Sequence, residues 1–341
     1  MEHAAEHAMK DAAGRQEKVM NQEKEYDLVC IGTALLDSII KGFDPKPVSA
    51  SGYRAGSGSL NVGGEAVNEA ATAAKMGLKT EILCSLGTDP AGDLVVNTLK
   101  DFGVDVSRVI RSCEHPTPIT TMFVNKDGSR QSITNEAHKY NFHPEQYEDR
   151  FLNAKTMILG SLFRAPFNDP EVVRQVLQKA SSAGMMIFAD TKLPNFRQIT
   201  LEEIGDSLGF VDYITPNEDE AKFYTKQEDP EAMADVFLGC GVKNVIIKLG
   251  SKGCFFKNAR ETIRYPAFAI DAVDATGAGD SFVAGFAAMK LEGCDDRKAL
   301  AFANACGAVC STAVGATTAI RDKEQILKFL EENKRTLGTG L

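Results

Sequence analysis

Basic residues are scarce in this sequence of 341 residues: 38 lysines and arginines stand against 47 aspartates and glutamates, which gives a formal net charge of -9. This excess of negative charge repels a nucleic-acid backbone and an anionic membrane surface, so neither is predicted as a partner. No apolar run approaches the roughly 20 residues that a membrane-spanning helix requires. Small anionic ligands remain compatible with the sequence, because local donors hold them rather than net charge.

The sequence also lacks paired cysteines and late histidines. None of its eight cysteines forms a C-x-x-C pair. Most lie inside apolar segments, so we interpret them as reduced, buried thiols of a cytoplasmic protein. All five histidines occur at or before His143. A histidine base is therefore excluded in the second half of the chain.

The order of apolar segments predicts a layered α/β protein. Residues 1–25 form a polar leader that we expect to be frayed or disordered. From Tyr26 onward, apolar strands alternate with amphipathic helices. This alternation is typical of a doubly wound, mostly parallel sheet flanked by helices, which binds ligands at the carboxyl ends of its strands. We expect this core to span residues 26–335.

Two segments interrupt the alternation. Residues 38–61 are rich in glycine, serine and proline, and the segment 110–136 contains a hairpin pattern with a turn at residues 125–128. Both segments would project from one edge of the sheet. We therefore expect them to form a small β lid over the ligand site.

The segment with the most chemical information is Asp274–Ser281, whose sequence is DATGAGDS. A strand-like run from Tyr265 to Ile270 precedes it, and a helical pattern follows it. Gly277, Ala278 and Gly279 can therefore bring backbone N–H groups close to a ligand at the start of a helix. This arrangement suits phosphate oxygens, because the helix N-terminus carries partial positive charge.

Asp280 follows this glycine-rich turn directly. A carboxylate beside a bound phosphate is repelled unless a hydroxyl group lies between them, so Asp280 is a candidate base for that hydroxyl proton. Phosphoryl transfer depends mainly on such positioning and on charge stabilisation. Alternatively, Asp280 only caps the helix. The Gly-Ala-Gly-Asp sequence alone does not decide between these interpretations.

Two other motifs open predicted helices. Asn217 and Glu220 are three residues apart and could share a face that suits hydrated Mg²⁺, although plain helix capping gives the same pattern. Gly63 and Gly64 allow close approach of a polyol whose hydroxyl groups Asn68 could bond. A Gly-Gly pair by itself usually indicates only a turn.

Asp37 lies just beyond the first predicted strand, at the end where a substrate would bind. A carboxylate accepts two hydroxyl hydrogens and suits a sugar, whereas the alternative is a solvated loop acid. The first strand is not followed by the G-x-G-x-x-G spacing of dinucleotide-binding proteins. A P-loop is also excluded, because no GxxxxGK[ST] motif occurs.

In order and spacing, three motifs resemble those of ribokinase-like (PfkB) carbohydrate kinases: Gly63-Gly64 with Asn68, Asn217-x-x-Glu220, and Asp274-Ala275-Thr276-Gly277-Ala278-Gly279-Asp280. The resemblance runs from about Tyr26 to about Leu330. It implies the ribokinase-like fold, the use of ATP and Mg²⁺, and phosphorylation of a hydroxyl group on a sugar or sugar-like small molecule. For some members it also implies K⁺.

The resemblance implies roles for individual residues by position. Asp280 matches the catalytic base, Gly277 to Gly279 the anion hole, Asn217 and Glu220 the residues that organise Mg²⁺ and phosphates, and Asp37, Gly63, Gly64 and Asn68 the sugar-binding positions. Asp274 matches a side chain near the monovalent-cation site, to which residues 313–317 would supply carbonyls, and Asn304 would lie near adenine. Lys248, where many members carry threonine, and Gly250 are assigned to ATP binding.

Several positions bear on the acceptor. Glu65 stands where ribokinase itself has lysine, which disfavours ribose. Lys192 and Arg164 are further candidates for phosphate or substrate contact, with surface charge as the alternative. A nucleoside kinase of the same family is the alternative function, and an aromatic wall from Phe163 or Phe167 would favour it.

Two further expectations concern activity and assembly. A non-catalytic ligand sensor on the same fold would need a damaged base or phosphate cradle, and both motifs are intact. The resemblance also suggests a homodimer, since lid strands of this family often pair across a dimer that covers their exposed edges. The segment 117–134 carries enough apolar residues for such pairing.

Overall fold

A computed structural model of the protein describes residues 24–43, 55–125, 130–135, 142–194 and 197–333. Residues 1–23 of the predicted leader lie outside the described residues. The same holds for residues 126–128 of the predicted hairpin turn, for 44–54 of the first predicted lid segment, and for the last two positions of the predicted core.

The described residues form fourteen strands: β1 (Tyr26–Ile31), β2 (Leu35–Phe43), β3 (Ser57–Gly63), β4 (Thr80–Leu83), β5 (Ser85–Gly87), β6 (Ile110–Ser112), β7 (Ile119–Asn125), β8 (Arg130–Thr134), β9 (Ala154–Leu162), β10 (Met186–Thr191), β11 (Tyr213–Ile214), β12 (Asn244–Lys248), β13 (Cys254–Asn258) and β14 (Thr262–Tyr265). Eight of them form a main sheet in the order β14-β13-β12-β11-β10-β9-β1-β4. A second sheet has the order β3-β2-β7-β8, and β5 pairs with β6.

Ten α-helices occur in the same residues: α1 (Glu65–Lys75), α2 (Pro90–Asp101), α3 (Glu148–Phe151), α4 (Pro170–Ser182), α5 (Leu201–Leu208), α6 (Glu218–Thr225), α7 (Pro230–Gly239), α8 (Ala278–Leu291), α9 (Asp296–Cys310) and α10 (Lys323–Asn333). Short 3-10 helices lie at Pro144–Gln146 and Gly250–Lys252. In the described part of the chain, no helix combines the length and the apolar character needed to cross a membrane.

The main sheet is parallel from β4 through β12 and turns antiparallel at β13 and β14. From β1 the chain moves to β4 on one side and later returns to β9 on the other side of β1. The strand order thus reverses between β1 and β9. Open sheets of this type bind ligands outside the carboxyl ends of the strands at such a point. The predicted doubly wound, mostly parallel architecture is confirmed.

Helices cover both faces of the main sheet. In β1, Leu28 and Cys30 belong to a core shared with α1, α2 and the helices α8 to α10, whereas Val29 and Ile31 belong to a core shared with α4 to α7. Both faces of this strand are therefore dry from Leu28 onward, which explains its apolar run Leu28–Ile31. Leu28, Val29 and Ile31 each contribute about 1.5–3 kcal/mol when fully buried.

The outer face of the second sheet is covered only in part, by the core that buries Leu36 and Val62. Three of its large apolar side chains remain exposed, at 60% for Leu60, 38% for Ile119 and 70% for Ile133. Strand β6 pairs with β5 instead of joining this sheet, so the sheet takes from the second predicted lid segment only the strands β7 and β8. Its inner face borders the cavity described below.

The predicted strand from Tyr265 to Ile270 is wrong. Strand β14 ends at Tyr265, because Pro266 has no N–H group to continue the sheet hydrogen bonds. The apolar pattern beyond it reflects packing, since Phe268 is buried and meets the Phe329 ring edge-on at 5.2 Å.

All eight cysteines carry free thiols, as predicted. Five of them are buried. Cys240 and Cys294 are half-buried, and Cys113 is exposed.

Candidate active site

The glycine-rich turn forms the N-terminus of α8. Gly277 is the N-cap residue, with φ at 77°, and no side chain caps the helix. A Cβ atom on Gly277 would lie 2.4 Å from the Cβ of Ala316, so this position requires glycine for conformation and for space. The first N–H groups of a helix have no acceptor within it, and here they face the cavity described below. The turn has the geometry of an anion site.

Asp280 lies in the first turn of α8 and is 6% exposed. It does not cap the helix. Its Oδ2 accepts a hydrogen bond of 2.7 Å from the Asn68 amide, and its Oδ1 lies 3.5 Å from the Lys192 ammonium. Burial and the carboxylates of Asp190 and Glu65 raise the pKa of Asp280, against the opposing effects of Lys192 and Asn68. A raised pKa makes this carboxylate a stronger base than a solvated aspartate.

Asp280 lines a cavity of about 600 Å³, and we divide its lining residues by their place in the fold into a phosphate end and an acceptor end. The phosphate end is lined by the glycine-rich turn and by residues that follow strands of the main sheet: Asn217, Lys248, Gly250, Ala275, Thr276, Gly277, Ala278 and Gly279. The acceptor end is lined by residues from the second sheet, the start of α1 and the neighbouring loops: Thr33, Leu35, Asp37, Gly64, Glu65, Asn68, Thr120, Met122, Ser132, Thr134 and Arg164. Lys192 and Asp280 line the same cavity and lie 3.5 Å apart, and Asp280, which follows the glycine-rich turn, also contacts Asn68 of the acceptor end.

Asp37 is part of β2 rather than a loop, and it pairs there with Asn61 and Thr120. Burial, together with the nearby Glu65 carboxylate, raises the pKa of Asp37 to about 6. A Cβ atom on Gly63 would overlap the Asp37 carboxylate, so a side chain at this position would displace that carboxylate from its present place. The side chain is directed at the cavity and is not a solvated loop acid.

Gly64 adopts φ of 98°, and a Cβ atom there would lie 2.3 Å from the Thr33 carbonyl oxygen. This glycine lets the chain turn from β3 directly into α1. Because α1 starts at once, Glu65 faces the acceptor end, and Asn68, one turn later, reaches Asp280. The helix that starts after the double glycine therefore contacts the predicted base through Asn68.

Asn217 and Glu220 form a reciprocal capping box at the start of α6. The Glu220 carboxylate accepts hydrogen bonds from the Asn217 backbone N–H at 2.9 Å, from its amide at 2.8 Å and from the Thr191 hydroxyl at 2.9 Å. Three donors leave acceptor capacity for about one water on this carboxylate. The pair therefore fits Mg²⁺ held through water and not by direct carboxylate coordination.

Lys248 ends β12 beside the glycine-rich turn. Its Nζ lies 2.6 Å from Asp190 Oδ1 and 3.3 Å from the place where a Cβ atom on Gly279 would stand. Gly250, two residues later, lines the same end of the cavity. Both residues are thus close to any phosphate bound at the start of α8.

Asp274 connects two loops. Its Oδ1 accepts hydrogen bonds from the N–H and hydroxyl groups of Thr276, and its Oδ2 accepts one from the N–H group of Gly315. The predicted monovalent-cation loop therefore lies against this carboxylate. Near the same loop, the Lys75 ammonium donates to the carbonyl oxygens of Thr317 and Ile320.

Asn304 is not one of the residues that line the cavity at Asp280. Its amide donates to Cys254 Sγ at 3.1 Å and to the Leu300 carbonyl at 2.8 Å, inside the core beside β13. Its assignment to adenine stays a prediction. Phe163 and Phe167 are fully buried and do not line the cavity either.

Two acidic residues of the site escaped the sequence reasoning. Asp190 and Glu69 are fully buried. One carboxylate oxygen from each of Asp190, Glu69 and Asp280 lies within 4.8 Å of the other two. Asp190 also accepts a 2.8 Å hydrogen bond from the Thr215 hydroxyl. Each could have been noticed as the acid that interrupts an otherwise apolar segment, at the end of β10 and in the alanine-rich face of α1.

The main sheet, the second sheet beside it and the glycine-rich helix start place this molecule in the class of ribokinase-like α/β proteins. A family model described as pfkB family carbohydrate kinase matches residues 26–323, and the chain belongs to that family. It is a phosphotransferase that uses an alcohol group as acceptor, as carbohydrate kinases do.

Three relatives illustrate the similarity. A probable fructokinase-5 of Arabidopsis thaliana is 31% identical over 295 residues, which cover 80% of this chain and 89% of that protein. The ribokinase of Haemophilus influenzae is 27% identical over 277 residues, covering 79% of this chain and 87% of that protein. The structure of Arabidopsis thaliana ribokinase with ribose and ATP gives a TM-score of 0.79 at 28% identity and covers 90% of this chain and 99% of that one.

Proposed function

We propose that this protein transfers the γ-phosphoryl group of ATP to a hydroxyl group of a neutral sugar or sugar-like small molecule. The observation that carries the proposal is that Asp280 lies in the first turn of the glycine-rich helix, lines the cavity and contacts Asn68 of the acceptor end. A hydroxyl group bound there meets a base and a phosphate-binding helix start together. Such positioning supplies much of the catalysis in phosphoryl transfer.

In the proposed reaction, Asp280 accepts the proton of the acceptor hydroxyl group. The acceptor oxygen forms a bond to the γ-phosphorus, and the bond from that phosphorus to the bridging oxygen breaks with its electron pair leaving on ADP. Backbone N–H groups at Gly277 to Gly279 stabilise the charge on the phosphoryl oxygens. Lys248 and Gly250 bind the phosphates at the same end.

The cation assignments follow from the donor sets. Asn217 and Glu220 would hold Mg²⁺ through water, and the bound ion would neutralise phosphate charge. Asp274 remains our candidate for a K⁺ site, because its carboxylate lies against the loop that would offer carbonyls.

The lining of the acceptor end favours a sugar over a nucleoside. It contains the hydroxyl groups of Thr33, Thr120, Ser132 and Thr134, and none of its described side chains is aromatic. A nucleobase would lack the stacking partner that such ligands commonly use. Asp37, Glu65 and Asp280 place three carboxyl groups around the acceptor against the two cations of Arg164 and Lys192, so the remaining excess of negative charge disfavours an anionic acceptor. The intact base and glycine-rich turn also disfavour a non-catalytic sensor.

A coupled assay of ADP formation over a panel of monosaccharides, sugar phosphates and nucleosides tests the proposal. We expect ATP- and Mg²⁺-dependent turnover of at least one neutral monosaccharide. Turnover of nucleosides alone would establish the alternative acceptor. Saturable ATP binding without turnover of any panel member would instead point to a sensor.

We further propose that the second sheet is a lid over the acceptor end and that its exposed face pairs with a second copy of the chain. Leu60, Ile119 and Ile133 supply the apolar contact. Sedimentation at micromolar concentration should give a dimer that Ile133→Asp dissociates. The matched control is Leu327→Asp, since Leu327 is 46% exposed on α10. A wild-type mass of one protomer contradicts the assembly.

A further inference from the structure

Lys192 is a charged group of the site to which the proposed reaction assigns no role. It follows β10 at the carboxyl edge of the main sheet, and its Nζ lies 3.3 Å from Asp190 Oδ2 and 3.5 Å from Asp280 Oδ1. Its side chain is 19% exposed and lines the same cavity as the glycine-rich turn. A cation is therefore placed between the base and the phosphate end.

The position of Lys192 is fixed by core contacts that do not involve the base. Its backbone N–H donates to the Leu162 carbonyl at 3.0 Å, and its own carbonyl accepts a 2.7 Å hydrogen bond from the Tyr224 hydroxyl. The Tyr224 ring stacks on Phe163 with ring centres 3.8 Å apart. The ammonium group thus extends from an anchored backbone.

Lys192 remains charged in this environment. Burial alone would lower the pKa of its ammonium, but the carboxylates of Asp190, Asp280, Glu65 and Glu220 hold that pKa well above its usual range. A deprotonated lysine, acting as an acid or base, is excluded by this surplus of negative charge.

Asp190 has a second counter-ion besides Lys192. Lys248 already lies 2.6 Å from the other carboxylate oxygen of Asp190, and the Thr215 hydroxyl donates to that oxygen. A buried carboxylate must be paired: Lys248 and Thr215 pair one oxygen of Asp190, whereas the other oxygen has Lys192 as its charged neighbour at 3.3 Å. Lys192 differs from Lys248 in that it also contacts the base.

We propose that Lys192 is a second catalytic residue, whose ammonium group contacts the transferring phosphoryl group; this rests on the kinase activity proposed above. Before the reaction it is attracted to ionised Asp280. When Asp280 takes the hydroxyl proton it becomes neutral, and the ammonium group is then attracted to the phosphoryl oxygens. The acceptor oxygen bonds to phosphorus, the electron pair of the broken bond leaves on ADP, and Lys192 keeps its proton. The contact is thus strongest in the transition state, as catalysis requires.

The test compares Lys192→Met with Lys192→Arg and with the control Lys243→Met. Lys243 is an exposed lysine paired with Asp212 at 2.7 Å, and neither residue lines the cavity. We expect Lys192→Met to lower kcat by about 10²–10³, as the loss of one donor to a developing charge does. Binding of a non-hydrolysable ATP analogue should change little. Lys192→Arg should retain part of the kcat, and Lys243→Met all of it.

A pH profile separates this role from a merely structural one. If Lys192 only kept Asp280 ionised, the Lys192→Met variant would regain the wild-type kcat at high pH, where Asp280 ionises again. We expect the loss to persist on that plateau, and full recovery would overturn the proposal. If Lys192→Met does not fold, Lys192→Gln removes the same charge and is measured in its place.

The same assay distinguishes failure of the underlying function. A wild-type protein that turns over no acceptor contradicts the kinase proposal itself and with it the role of Lys192. Wild-type turnover together with an unchanged kcat in Lys192→Met contradicts only the role of Lys192.

Discussion

The two ends of the cavity differ in whether backbone groups or side chains line them. The phosphate end consists largely of backbone, at the start of α8 and after strands of the fully covered main sheet. The acceptor end consists largely of side chains, including Asp37, Thr120 and Thr134 from the half-exposed second sheet. Backbone recognition depends on a few glycines, whereas side-chain recognition changes with each substitution. The chemistry and the choice of acceptor are therefore carried by separable parts of the molecule.

Asp280 lies in the glycine-rich helix start and contacts Asn68 of the acceptor end, so its substitution should lower kcat more than any other substitution. We expect Asp280→Asn to lower kcat by about 10²–10⁴ because the hydroxyl proton then has no acceptor. Binding of an ATP analogue should be retained, as measured by calorimetry. Near-wild-type kcat in this variant would remove Asp280 from the mechanism.

The pH dependence follows from the same carboxylate. Its pKa is raised by burial and by the neighbouring acids, and the base must be ionised. The kcat should therefore fall as pH decreases through this raised pKa, at higher pH than for a solvated aspartate.

Gly277 tests the backbone character of the phosphate end, with Gly293 as the matched control. Both glycines have φ of 77°, but a Cβ atom on Gly293 would meet nothing within 4 Å. Alanine should cost about 1–2 kcal/mol of unfolding free energy at either site for the left-handed conformation. At Gly277 the clash with Ala316 should add about 1–3 kcal/mol and lower kcat by displacing the N–H groups. Equal unfolding free energies and unchanged kcat would contradict this account.

Asp37 tests the side-chain character of the acceptor end. We expect Asp37→Asn to lower kcat/KM for the acceptor by about 10–100-fold, as for loss of a hydrogen bond worth about 1.5–3 kcal/mol to a charged group. The KM for ATP should not change if the acceptor end and the phosphate end bind their ligands independently. Because the pKa of Asp37 is about 6, acceptor KM in the wild type should rise as pH falls below that value.

Substitution of Glu69 should have the smallest effect on kcat. It is fully buried beneath the site, and neither carboxylate oxygen has a hydrogen-bond partner among the described residues. Burial and the carboxylates of Asp190 and Asp280 raise the pKa of Glu69 well above its usual value. The folded protein thus keeps Glu69 protonated while the unfolded chain ionises it, so its contribution to stability decreases as pH rises above the unfolded pKa. We expect Glu69→Gln to leave kcat unchanged and to remove this part of the pH dependence.

Asp190→Asn is the contrasting substitution for Glu69→Gln. Burial opposes ionisation of Asp190, but Lys248 and Lys192 lower its pKa, so it is charged in the folded state. Removing its charge leaves the half-buried ammonium groups of Lys248 and Lys192 without that partner, which should lower the free energy of unfolding by at most about 3–5 kcal/mol. Equal effects of the two substitutions on unfolding by denaturant would show that the charges are assigned wrongly.

Local signals in the sequence predicted the elements that carry the site. The apolar run of β1, the glycine entry to α1 and the glycine-rich start of α8 each have a local physical cause, and each occurs where expected. Helix α7 was missed although Asp229-Pro230 is a cap followed by the residue preferred at a helix start. The end of β14 was misplaced because an apolar pattern reports burial and does not distinguish a strand from a packed loop.

Side-chain partnerships could not be predicted in the same way. Asn68 and Asp280 are 212 residues apart and share one hydrogen bond, and Asn304, placed near adenine by position, donates to Cys254 in the core. Glu69 and Asp190 carry no motif. They matter because α1, β10 and α8 bring three carboxyl groups together around two lysines.

The sequence by itself determined the layered α/β architecture, the anion-binding helix start and the acid that follows it, because periodicity and glycine conformation act over a few residues. Only the tertiary structure decided that Asp280 faces a cavity instead of capping its helix, that Lys192 contacts it, and that no described aromatic side chain lines the acceptor end. These facts depend on which distant strands and helices meet at one edge of the sheet. Charge, burial and proton affinity at that edge are properties of the assembled groups and of no single segment.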